Sequence, residues 1–224
     1  MNWARIRAIM GKDVKEITAN KMVIMPMIIV PVILCVVIPV VLSVLVYETD
    51  TMAMSGSEYI EELIPFYSVP EAFTELSEQI LYVFLNYLFM PLFMVIPIMV
   101  SSIIAANAVV GEKERKTLET LLYTPVTNRE FIVAKLSGAF LPGFIISVLA
   151  FILYFASGNI VSYLNSGTMI ITSLLWVPAM LVLAPAVSAL GLSVTLLVSL
   201  KAKTFMEAQQ ISAFVVIPFV ILLI

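Results

Sequence analysis

Four uninterrupted apolar runs dominate this chain, at roughly 22–47, 80–110, 131–155 and 168–200. Each exceeds the ~20 residues that a helix needs to cross the hydrocarbon core of a bilayer. A fifth run, 211–224, has 14 residues and ends with no charged or aromatic flank. At 62% hydrophobic and 12% charged, the chain holds more apolar surface than a water-soluble domain can bury. The expected class is an all-α, polytopic membrane helix bundle forming one transmembrane domain over 1–224. The first run is too long for a signal-peptide core and is read as a retained helix.

Charge orients the runs. Arg5, Arg7, Lys12, Lys15 and Lys21 precede the first. Lys113, Arg115, Lys116, Arg129 and Lys135 surround the connection between the second and third. Lys201 and Lys203 follow the fourth, which accounts for all 12 basic residues. The connection 48–79 has eight acids and no base, and 156–167 carries no charge. Cytoplasmic loops hold the Lys/Arg excess. The N-terminus and the connections near 111–135 and 201–210 are therefore expected inside, with 48–79 and 156–167 outside.

Residues 1–21 read as an interfacial helix with Trp3, Ile6, Met10, Val14 and Ile17 on one face; a plain basic flank fits the pattern as well. Interior prolines at 26, 31, 39, 91, 97, 178 and 185 predict bent helices, serving either as hinges or as ordinary packing. Ser68-Val-Pro-Glu71 has the spacing of a helix start. The acidic run 48–79 reads first as a solvated face and second as a cation collector. Ala184, Ser188, Gly191 and Thr195 share a face of the fourth helix and permit close helix approach.

No ionisable residue lies deep within a span, and Asn86 and Asn107 are the strongest polar groups there. Ion-driven pumps and voltage sensors need such residues, so any active transport would draw energy from a partner. One cysteine (Cys35) and no histidine disfavour zinc or haem. An intramembrane hydrolase is also disfavoured: metal ligands and paired acids are missing, and no Gly-x-Ser-x-Gly elbow occurs.

The most structured connection is 111–135, GEKERKTLETLLYTPVTNREFIVAK. Gly111 followed at a distance by Lys116-Thr117 is a decoy for a phosphate-binding loop, because the second glycine and the preceding strand are missing. The stretch 111–122 reads as helix. Glu112 and Lys116 have favourable i,i+4 spacing, and Leu118, Leu121 and Leu122 form a narrow apolar stripe. Thr124-Pro125 ends the helix, and Thr127-Asn-Arg-Glu130 has capping-box spacing before the third span.

The run from Glu112 to Lys135, with the form E-K-E-R-x-T-L-E-x-L-L-x-x-P followed by a basic-acidic start to the third span, resembles the cytoplasmic loop signature of type-2 ATP-binding-cassette (ABC) permeases. The match is close over about 25 residues, and 201–210 is more weakly similar to the family's second cytoplasmic loop. The resemblance implies six spans, of which about five are present, the fifth incomplete. It implies the permease subunit of an exporter in the plasma membrane of a prokaryote. That subunit would work with a separate cassette ATPase and a second permease copy. ATP and Mg would sit on the ATPase, leaving no cofactor, metal or catalytic residue in this chain. The coupling loop would be 111–130, and its ATPase-coupling residues Glu112, Glu114, Arg115, Thr117, Leu118, Glu119, Leu122 and Pro125. The charged members would set local geometry and partner pairing, the leucines would pack, and Pro125 would fix the turn. A non-transport membrane protein on the same fold, such as an immunity, sensor or assembly factor, is the competing reading.

Overall fold

A computed structural model describes residues 2–48, 62–114, 127–171, 173–202 and 204–214. Among these, four helices are long and apolar enough to cross a membrane. We label the helices α1 (Trp3–Ala19), α2 (Lys21–Tyr47), α3 (Leu76–Glu114), α4 (Asn128–Ser166), α5 (Trp176–Ser199) and α6 (Phe205–Ala213). The fold is the all-α membrane bundle that the apolar runs predict. Of the fifth run, only 211–214 lies within the described residues.

α3 is the central helix. About two thirds of its most apolar window is buried inside the protein, against a third or less for the other three spans. Lipid can solvate apolar side chains but not polar ones, so the outer spans keep rows such as Ile28, Ile29, Val32 and Leu190 exposed. The small-residue face of α5 packs on α3 as its composition predicts. Ala184, Ser188 and Thr195 are fully buried. A Cβ on Gly191 would come within 3.2 Å of the Ile98 carbonyl oxygen. The Ser101 hydroxyl donates to the Ser188 carbonyl at 3.1 Å, and the Ser188 hydroxyl to that of Pro97 at 3.4 Å.

Proline effects are repaired locally. Pro39 has no N–H to give the carbonyl of Cys35, and the Ser157 hydroxyl on α4 donates there instead, at 2.7 Å. Three of the four spans also carry π turns: Ile33–Val37 in α2, Phe84–Leu88 and Asn107–Gly111 in α3, and Ala179–Leu183 in α5.

Three boundaries differ from the sequence reading. Ser68-Val-Pro-Glu71 does not open a helix: Phe73 N–H closes a turn on the Pro70 carbonyl, and α3 starts at Leu76 with Glu75 as its cap. The stretch 156–166 is helix rather than connection, and α4 stops only at Gly167, whose φ of 71° needs glycine. Asn159, Ser162 and Ser166 lie on its inward face. Ser162 and Ser166 meet the Tyr47 hydroxyl at 3.4 and 3.3 Å. Finally, α5 begins at Trp176, not at 168.

Residues 168–171 are not helical, and two of them are buried. Ile170 and Ile171 are nearly inaccessible. Backbone at such a site needs partners from the protein, and two asparagines supply them. Asn86 donates to the Ile170 carbonyl at 2.8 Å and accepts from Ser173 N–H at 3.1 Å. Asn159 accepts from Ile171 N–H at 2.9 Å and donates to the Ile171 carbonyl at 3.3 Å. Gly158 leaves room for the Ile171 side chain, whose Cδ1 would lie 2.4 Å from a Cβ there.

Candidate functional site

The basic ends of the helices converge on the last turn of α3. A π turn at Asn107–Gly111 precedes that turn. Its extra residue rotates the end of α3 by about 100° relative to an unbroken α-helix. Glu112, Lys113 and Glu114 then reach three different neighbours.

Glu112 is 1% exposed. Its Oε1 accepts from Lys12 Nζ of α1 at 2.6 Å and lies 2.9 Å from Lys135 Nζ of α4. Lys135, itself 3% exposed, donates to Asp13 Oδ1 of α1 at 3.0 Å. One buried ammonium thus bridges carboxylates from two separate helices. Lys113 donates to the Ser199 carbonyl in the last turn of α5 at 2.8 Å, where a cation suits the helix end. Glu114 Oε1 accepts from Phe205 N–H at 3.1 Å, opening α6, where an acid suits the N-terminus.

A second tie joins α1 to α4. Thr127 and Glu130 form the capping box that their spacing predicts. The same Glu130 carboxylate accepts from Asn2 N–H at 2.6 Å and lies 3.9 Å from Arg5. The capping residues of α4 therefore also hold the start of α1.

The buried face of α1 differs from the expected one. Ile6, Ile9, Asp13 and Ile17 face inward, with Ile6 and Ile9 against Ala134 of α4, while Trp3 and Val14 stay exposed. The packed stripe is rotated because α4, and not only a bilayer, receives this helix. Asp13 is the residue that periodicity alone passes over. It stands seven after Ile6 and four before Ile17, on the apolar stripe itself. An acid at that register was the available signal that α1 meets a buried cation.

Carboxylate oxygens of Asp13, Glu16 and Glu112 lie within 4.8 Å of one another. The Lys12 and Lys135 ammoniums are bonded among them, so the arrangement is an ion network rather than an open ligand set. Burial pushes the Asp13 carboxyl above its ordinary value, and Lys135 opposes that push through its charge and its hydrogen bond.

Of the residues predicted to couple to an ATPase, Glu112 and Glu114 fall on this hub. Arg115, Thr117, Leu118, Glu119, Leu122 and Pro125 lie outside the described residues, as does Lys116, the expected i,i+4 partner of Glu112. The sequence reading missed Lys12, Asp13, Lys113 and Ser199 as members of the site and took Lys135 only as part of a basic flank.

The structure is a bundle of apolar spans whose basic residues and their buried acidic partners meet at one end. A family described as ABC-2 family transporter protein matches residues 7–224, nearly the whole chain. The chain belongs to this family of ABC transporter permeases. No curated protein and no solved structure matches it.

Proposed function

We propose that this chain is the permease subunit of an ABC exporter in a prokaryotic plasma membrane, working as a dimer with ATPase subunits on separate chains. The end bearing α1, Glu112–Glu114 and α6 faces the cytoplasm, where the basic residues put it. The segment beginning at Glu112 meets the ATPase.

The observation that carries this reading is the anchoring of that segment. Its first three residues are tied to α1 and α4, to α5 and to α6 in turn. ATPase closure can move a translocation path only through elements that do not yield at the contact. A loop rooted in four helices transmits a displacement that a free turn would absorb.

The test is reversal of charge at Glu114 and Arg115 together (Glu114→Lys, Arg115→Glu) in the full-length chain co-expressed with its cassette ATPase. ATP hydrolysis should continue while efflux from proteoliposomes, read against a panel of small cargoes, is lost. Unchanged efflux and unchanged ATPase binding in that double variant would remove the coupling assignment.

A further inference from the structure

We propose that Lys135 is a positioning residue that locks α1, the end of α3 and the start of α4 into one rigid body, so that a push on the coupling segment moves α4 directly and not only through α3. The inference rests on the coupling reading above. It goes further in assigning the transmission to a buried side chain outside the loop signature and to a helix, α1, that the signature does not include.

Geometry supports this in three ways. First, the Lys135 ammonium has a carboxylate from α1 at 3.0 Å and one from α3 at 2.9 Å, so neither helix can slide against α4 without breaking a buried ion contact. Breaking such a contact strands a charge away from water, which makes the junction stiff compared with an apolar one of equal area. Second, α1 and α4 are joined again at their N-terminal ends, through Glu130 to Asn2 and Arg5. Two separated ties on one helix pair suppress rotation as well as sliding. Third, Gly138 brings α4 close to α1 beside the ion pair: a Cβ there would sit 3.6 Å from Asp13 Oδ2 and 3.7 Å from the Met10 Cα.

Glu114 extends the same body to α6 by its bond to Phe205 N–H. A distance from α4 to α6 therefore reads the integrity of the whole chain of contacts. Ile132 on α4 and Met206 on α6 are both more than half exposed and suit spin labels, on a background with Cys35→Ala.

The experiment uses the full-length chain in nanodiscs with the cassette ATPase that co-purifies with it. Electron–electron resonance distances between Ile132→Cys and Met206→Cys are compared before and after vanadate trapping. With the doubly labelled chain diluted into unlabelled copies, the unsubstituted junction should hold one narrow distance within a subunit, unchanged within about 2 Å on trapping. With Lys135→Met, ATPase binding should persist, but trapping should broaden or shift the distribution. Lys135→Arg, which keeps the cation, should restore the narrow distance.

A wild-type distance that itself shifts on trapping, or a Lys135→Met distribution identical to wild type, overturns the rigid-body inference while leaving the coupling reading intact. Failure of any cassette ATPase to co-purify with the wild-type chain overturns the coupling reading, and this inference falls with it. Lys135→Met broadened equally before and after trapping would mark a merely structural role and also overturns it.

Discussion

The two ends of this bundle bury polar groups by opposite means. At the basic end, the Asp13 and Glu112 carboxylates meet the Lys12 and Lys135 ammoniums in a buried ion network. Near the other end, Asn86 and Asn159 are neutral amides that close on the backbone of Ile170, Ile171 and Ser173. A side-chain amide offers N–H donors and a carbonyl acceptor at fixed spacing, which suits backbone whose position must not change. An ion network is strong only while every member is present. The amide clasp thus acts as a fixed fitting, and the ion hub as a junction whose strength depends on charge.

The sharpest way to break this contrast is to remove the hub's central cation. Lys135→Met leaves the Asp13 and Glu112 carboxylates buried without their shared ammonium, and should lower stability by about 3–5 kcal/mol. Thermal unfolding in detergent micelles would show it. Adding Asp13→Asn and Glu112→Gln to the same chain should recover a large part of the loss. A triple variant as unstable as the single one would mean that Lys135 contributes packing rather than charge.

At the clasp, Asn86→Leu removes the partner of the Ile170 carbonyl and of Ser173 N–H together. Each stranded buried group costs about 1–3 kcal/mol. For the two groups together the expected loss is about 2–6 kcal/mol, comparable with that at Lys135, but it differs in kind: amide hydrogen exchange should rise at Ile171 and Ser173 while the basic ends of α1 and α4 stay protected. Exchange rising equally across the protein would mean that the clasp is part of the general core and not a local fitting.

Sequence patterns made these two regions legible to different degrees. The apolar runs gave the spans, and the small face of α5 gave its contact with α3, because both depend on residue type at a helical period. The capping box at Thr127–Glu130 was readable for the same reason, since local spacing determines it. The stretch 156–166 was not. Asn159, Ser162 and Ser166 lower the hydropathy as a loop would, yet they share one inward helix face, and only the neighbouring helices reveal that. Conversely, 168–171 and 173–175 have the hydropathy of a span but not its backbone; Asn86, more than eighty residues earlier, supplies two of the hydrogen bonds there. Lys135 was counted as orienting charge because positive-inside reasoning treats basic residues as interchangeable. Its partner, Asp13, is 122 residues away, and no short-range pattern connects them.

The subtlest difference between the ends is their response to pH. Asn86 and Asn159 do not titrate, whereas Asp13 does. Burial raises the Asp13 carboxyl above 3.8, outweighing the opposing pull of Lys135. The folded state therefore holds this proton more tightly than the unfolded chain does. The stabilising contribution of protonation is fully present below 3.8 and is lost as pH rises through the raised folded value. Asp13→Asn removes that dependence while leaving a side chain that can still accept from Lys135. Subtracting its unfolding free energy from that of the wild type at each pH isolates the residue from other carboxylates. The difference should tilt against the wild type as pH increases above 3.8 and then level off. The same subtraction for Asn86→Leu should be flat across that range. A flat Asp13→Asn difference would mean that the attraction of Lys135 cancels the burial cost at Asp13, so that this residue, like Asn86, contributes no pH dependence.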